Sequence, residues 1–337
     1  MKEDQSERRF RRFGMITITA VFLLIFVGGL VRSTGSGMGC PDWPKCFGQW
    51  IPPTEVNQLP SNYKEIFQVQ GHNIADFDPI KTWIEYVNRL IGVLIGFFIF
   101  LTMFFAIPYL KKDKTIFFLS FLAFVLVGFQ GWIGSKVVST NLSHWMITIH
   151  MMIALVIVAL LIYTITRSQS FSIHQLQADN SFKSVVYLLL VLGVVQTVVG
   201  TQIRESVDII ERLTQGARRE KWINWILNGE LNELYDFSVY RLAFLFHRTS
   251  SLITFALTAW ATWKAKNLFD RNAILYKILL GIIVLVALQI FGGKVLEVYG
   301  LPKYVQSLHL FIGSLIMGGY IFMTILVKTK IELRHKD

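Results

Sequence analysis

Charge is scarce in this chain. Asp, Glu, Lys and Arg make up 16% of its 337 residues, well under the roughly 25% of a soluble domain. By contrast 53% are hydrophobic, and the mean hydropathy is +0.49. That deficit excludes an ordinary soluble domain and defines a polytopic membrane protein. Acids are scarcer than bases, 22 against 33. The resulting formal charge of +11 does not indicate nucleic acid, because Lys and Arg sit in short segments between apolar runs. Thiols are nearly missing too: Cys40 and Cys46 are the only cysteines. Their spacing is a weak metal signature, since no other thiol exists to complete a site.

What is abundant is apolar sequence. Runs of about 20 residues, the length that crosses a bilayer, occur eight times, near 15–31, 83–108, 116–134, 144–165, 184–202, 240–263, 275–293 and 305–328. Lipid offers no partner to backbone N–H and C=O, so each span must be a helix. The sequence predicts an all-α fold of two pseudo-symmetric four-helix bundles. Its divisions are a tail over 1–14, a first half over 15–165, a linker over 166–183, a second half over 184–328 and a tail over 329–337. Basic segments (Arg8, Arg9, Arg11 and Arg12; Lys111, Lys112 and Lys114; 264–277; 328–337) all fall on one side of eight spans. The positive-inside rule makes that side cytoplasmic, with both termini inside the cell membrane. The first span also has the basic and apolar regions of a signal peptide. No A-x-A site follows it, and its removal would leave an odd number of spans.

Two outer loops are long. The first, from Arg32 to about Thr82, holds both cysteines on the oxidising side of this topology, where a disulfide is expected. A loop staple and a redox-active pair are both open readings of it. The second, over 206–238, contains Trp222, Trp225, Ile226 and Leu227, an interfacial amphipathic pattern. Beside them Arg218, Arg219 and Lys221 are either solvated or hold an anionic group. His174, in the linker, reads as solvated.

Within the spans the ionisable residues are few, and each marks a candidate site. A shift of 159 residues carries His150 onto His309, Gln130 onto Gln289, Gly134 onto Gly293, and Asn88-Arg89 onto His247-Arg248 without a gap. Four register-matched positions result: Asn88, His150, His247 and His309. Each lies a few residues inside the outer face, roughly 6–11 Å deep at about 1.5 Å per residue. Neutral imidazoles facing each other from separate helices of a bundle suit a haem iron. A zinc or di-iron site would want carboxylates or cysteines, and near His247 and His309 the only acid is Glu297, in an outer loop. The bland alternative is that these histidines are core residues that glue helices. The first half differs, with Asn88 in place of an imidazole and Glu85 one turn earlier on roughly the same face. One half thus offers two histidines and no acid, the other one histidine and an acid. That asymmetry suggests one electron-transfer haem and one haem at which chemistry occurs. Glu85 is otherwise an interfacial residue snorkelling outward. Arg32, Lys136, Arg204 and Lys294 recur at outer span ends, as propionate partners or as interfacial anchors. His144 lies about 240° around the helix from His150 and reads as interfacial.

In chain order, GGLVRSTGSGMGCPDWPKCFG, WIEYVNRLIG, FHRTSS and SLHLFIGSL resemble the haem A synthase family. The resemblance covers all eight spans. It implies an integral membrane oxidoreductase that converts the C8 methyl of haem O to a formyl group through hydroxylated intermediates. It implies a haem b cofactor in the second half, with iron ligands His247 and His309 and with Arg248 beside it. It implies the substrate haem in the first half, at His150, Asn88 and Arg89, with Glu85 as the catalytic acid. Cys40 and Cys46 match the paired cysteines of the bacterial branch. The family pattern E-x-x-H-R reads EYVNR here, so one histidine ligand is replaced by Asn88. The partners implied are haem O, the lipid bilayer, a haem O synthase and an electron donor that the sequence does not identify; a homo-oligomer is compatible with it. The alternatives are a cytochrome b-like electron-transfer protein and a haem transporter built of two repeats.

Overall fold

The computed structural model describes residues 5–169, 179–214, 222–229, 235–268 and 274–328. His174, Arg218, Arg219, Lys221 and the tail over 329–337 lie outside the described residues. Ten α-helices are seen among them: α1 Gln5–Ser33, α2 Tyr63–Ile66, α3 Pro79–Phe105, α4 Lys114–Ser139, α5 His144–Ser168, α6 Asn180–Leu213, α7 Trp222–Asn228, α8 Ser238–Leu268, α9 Ile274–Val298 and α10 Lys303–Lys328. All but the short α2 and α7 are long and apolar enough to cross a membrane, which makes eight spans. The only β-pairing among the described residues is two isolated bridges in the loop after α1. The chain is therefore an all-α, multi-pass membrane protein.

The chain divides into two compact units, Met1–Gln169 and Ser170–Asp337. In the first, α1 packs on α3, α3 on α4, α4 on α5 and α5 back on α1. In the second, α6, α8, α9 and α10 close a ring in the same order. Lipid tails are as apolar as the side chains, so close packing and interhelical hydrogen bonds hold such rings together. One buried bond of this kind joins Thr17 to Thr102 at 2.9 Å. In the second unit Thr258 meets the Tyr320 hydroxyl at 2.9 Å.

Helix starts follow local chemistry. The Asp78 carboxylate accepts from the N–H groups of Ile80 and Lys81, with Pro79 at the first helical position, where its missing N–H costs nothing. Asp113 accepts from Thr115 N–H at 3.2 Å to start α4. The turns before α5 and α10 share a conformation. Asn141 and Leu142, like Gly300 and Leu301, are left-handed, and Leu142 N–H donates to Val137 O as Leu301 N–H donates to Leu296 O.

Several boundaries differ from the apolar runs; α6, for one, runs on to Leu213, past 202 and into the segment read as the second outer loop. Helix α1 begins at Gln5 and carries the basic residues with it. Phe10 is fully buried against Ala106, Tyr109, Ile116 and Ile165, Arg11 donates to Ser168 O at 2.6 Å, and Glu7 pairs with Lys112 at 2.7 Å. Hydropathy cannot register a helix that continues as a packed, ion-paired turn outside lipid. Helix α7 differs in a second way. Trp222, Ile223 and Ile226 are buried in a cluster with Val207, Ile210, Phe237, Phe244 and Leu301, so these side chains are covered by protein rather than lying free in the bilayer surface.

Candidate functional site

The second unit brings His247 of α8 and His309 of α10 face to face, with ring centroids 6.5 Å apart and the planes 52° apart. Nδ1 of each is buried with no hydrogen-bond partner. The rings are only half-buried, so Nε2 is the accessible nitrogen. Two imidazoles on one metal, at about 2 Å per bond plus a ring radius at each end, have centroids roughly 6–6.5 Å apart, which is the spacing found. No group of three His, Cys, Asp or Glu side chains occurs among the described residues, so the donor set fails for zinc or di-iron. It fits a haem, whose ring nitrogens supply the equatorial ligands and which asks the protein only for axial ones. Beside His247, Arg248 is more than half exposed and lies 3.8 Å from Glu297, which Lys294 also reaches at 3.0 Å.

The first unit has one imidazole at the register-matched position. His150 on α5 again has a buried Nδ1 without a partner, as does Oδ1 of Asn88 on α3. Glu85, one turn before Asn88, is 3% exposed, which overturns the reading of an acid that snorkels outward. One of its oxygens accepts from Cys40 N–H at 2.9 Å and the other from Arg89 at 2.5 Å. The Arg89 guanidinium donates further to Cys40 O at 2.9 Å, Asp42 O at 2.7 Å and Lys45 O at 3.0 Å. These are the carbonyls of the loop closed by the Cys40–Cys46 disulfide. Acid and base together therefore seat the disulfide loop on α3. Thr82 adds a bond from its hydroxyl to Gly39 O at 2.9 Å.

The same positions do the corresponding work in the second unit with different chemistry. In the shifted register Thr82 falls on Arg241 and Glu85 on Phe244. Arg241 donates to Ile226 O of α7 at 3.1 Å, and Phe244 packs edge-on against Trp222 at 5.7 Å. In each unit the first turns of the second long helix thus hold the segment that caps that end of the unit. The register pairing was legible in the sequence. The caps were not, because they are contacts between segments of unrelated sequence. The cations at outer helix ends also have local partners: Lys136 lies over the Trp132 ring and Arg204 meets Asp208 at 2.8 Å.

Against known proteins, the COX15-CtaA family model, described as cytochrome oxidase assembly protein, matches residues 11–321, and the chain belongs to that family. The individual relatives are haem A synthases. That of Pelagibacter ubique is 26% identical over 93% of this chain and 95% of the relative. Those of Rickettsia prowazekii, 25% identical over 94% and 97%, and Geobacillus kaustophilus, 23% identical over 95% and 92%, align over comparable lengths.

Proposed function

We propose that this protein is a haem A synthase, an oxidoreductase of the cell membrane that oxidises the C8 methyl of haem O to a formyl group through hydroxylated intermediates. The observation that carries the reading is the His247–His309 pair, two imidazoles whose ring centroids lie 6.5 Å apart, with no competing donor set among the described residues. His247 and His309 would hold haem b, which when bound would supply one-electron transfer. In the first unit His150 ligates the substrate haem from one side. Asn88 offers only an amide, a poor iron ligand, so the opposite side stays open for oxidation chemistry. Glu85 is the acid in that unit. Its carboxylate has about four acceptor sites, so it can take a proton while still bonded to Cys40 N–H and Arg89. Arg89 holds Glu85 and the loop at the substrate side, and Arg248 occupies the equivalent place beside the cofactor. Both termini and the basic segments face the cytoplasm.

The test is pigment extraction from membranes that express the chain with haem O supplied. Haem A in the extract is the expected result. Only haem B would point to an electron-transfer cytochrome, and no retained haem would sink both readings. His247→Ala and His309→Ala are each expected to abolish the low-spin spectrum of the purified protein.

A further inference from the structure

The three histidines share a neighbour that the proposed chemistry has not used. Helix α4 packs on α5, α6 on α8 and α9 on α10, and each carries the pattern Gln-x-x-x-Gly where it faces the histidine. The segments are Gln130–Gly134, Gln196–Gly200 and Gln289–Gly293. Residues four apart lie on one helix face. The glycine lies at the imidazole edge: a Cβ added at Gly134 would be 3.6 Å from His150 Cε1, at Gly200 3.7 Å from His247 Cε1, and at Gly293 3.5 Å from His309 Cε1. A residue larger than alanine would meet the ring. One turn away, Gln130 and Gln196 hold the histidine's own turn of helix. Gln130 Nε2 donates to His150 O at 2.7 Å. Gln196 Nε2 donates to His247 O at 3.1 Å and to Ser250 Oγ at 2.7 Å. Gln289 Nε2 lies 3.3 Å from a Cβ built at Gly313, one turn beyond His309. The fourth position supplies the contrast. With Arg204 set on Arg32, Gln196 falls on Leu24 and Gly200 on Gly28. There the glutamine is absent, and on α3, the helix that α1 packs against, Asn88 stands in the register place of His247.

A second observation concerns unmet hydrogen bonds. Oε1 of Gln130 and of Gln289 is buried without a donor, and Nδ1 of His150 and of His309 is buried without an acceptor. An imidazole bound to metal through Nε2 carries its proton on Nδ1 and needs an acceptor for it, which orients the ring and raises its basicity. An amide oxygen can only accept. We propose that the glutamine of each Gln-x-x-x-Gly segment is a positioning residue for the histidine it faces. Through Nε2 Gln130 and Gln196 fix the histidine backbone, and Gln130 and Gln289 accept the Nδ1 proton through Oε1.

This rests on the reading of His247 and His309 as haem ligands, and the test separates the two. The protein is purified in detergent with the haem it retains, and its midpoint potential and low-spin electron paramagnetic signature are recorded. Gln289→Leu removes the acceptor and makes His309 a weaker donor. The midpoint should rise by an amount equal to about a tenfold change in the reduced-to-oxidised ratio, 59 mV for one electron. Gln289→Glu keeps an acceptor and should hold the midpoint at or below the unsubstituted value. A gain arm uses the first unit: Asn88→His alone should give a mixed-spin population, which Leu24→Gln added to it shifts toward low spin. Loss of low-spin haem in His309→Ala with an unmoved potential in Gln289→Leu overturns the glutamine role alone. Equal rises in the Leu and Glu variants, or no effect of Leu24→Gln in the gain arm, overturn it as well. Low-spin haem retained in both histidine variants overturns the haem reading itself.

Discussion

Glu85 shows how much a single position can carry. In sequence it is an acid one turn from Asn88 in an apolar span, where a charge without a partner costs several kcal/mol. In the structure its oxygens accept from Arg89 and Cys40 N–H, so the charge is met and also spent on holding a loop. Glu85→Gln keeps size and one acceptor and removes the ionisable acid. Arg89 retains three loop carbonyls, so the variant is expected to insert, keep the disulfide by mass mapping without reduction, and keep the low-spin spectrum proposed for the second unit. Its yield of haem A is expected to fall roughly tenfold or more, the scale of general acid–base catalysis. A wild-type yield would reduce Glu85 to a loop anchor. The partnership with Arg89 was in reach of the sequence, since the two are four apart on one helix. The loop carbonyls were not, because Cys40, Asp42 and Lys45 meet Arg89 only after the loop folds back over α3.

At the scale of elements, the capping segments are where the two units diverge. The first cap is an aromatic core, with Phe47 edge-on to Tyr63, Phe67 and Phe77, stapled by Cys40–Cys46. It docks on α3 through Gly39, whose position allows no Cβ: one built there would lie 2.4 Å from Lys81 O. Backbone cannot give way as a side-chain tip can. Gly39→Ala should therefore lift the loop, lose the Thr82 and Glu85 bonds, and destabilise the cap by about 1–3 kcal/mol, the usual cost of overpacking. The readout is the rate at which a phosphine reduces the disulfide in folded protein, expected to rise. An unchanged rate would mean that the loop docks without this contact. The second cap, α7, is apolar and rests on Phe244 through Trp222. From sequence its Trp and Ile residues read as interfacial, because an amphipathic pattern records that one face is covered and not by what.

For the whole molecule, orientation is the property most open to a direct test. Lys and Arg concentrate between the even-numbered and following odd-numbered spans and at the ends of the chain, and on the positive-inside rule the disulfide loop is expected outside the cell. The native cysteines are joined to each other, so a single added thiol reports its own side. Asn57→Cys, in the exposed first loop, is expected to react with an impermeant maleimide in intact cells. Lys111→Cys, in the exposed turn after α3, should react only after permeabilisation. The reverse pattern would invert the topology and put the disulfide in a reducing compartment.

The sequence by itself determined the membrane class and the number of spans, and it carries the register that sets His150 on His309 and Asn88 on His247. Those follow from chain-local physics: the hydrocarbon thickness sets helix length, and the helical period sets which residues share a face. The tertiary structure alone decided that His247 and His309 stand 6.5 Å apart, that Glu85 and Arg89 seat the disulfide loop, and that glutamines from neighbouring helices reach the carbonyls of His150 and His247. Each of those contacts joins segments on different helices or loops. Its existence depends on helix rotation and crossing, which are set by packing between side chains and leave no periodic trace along the chain.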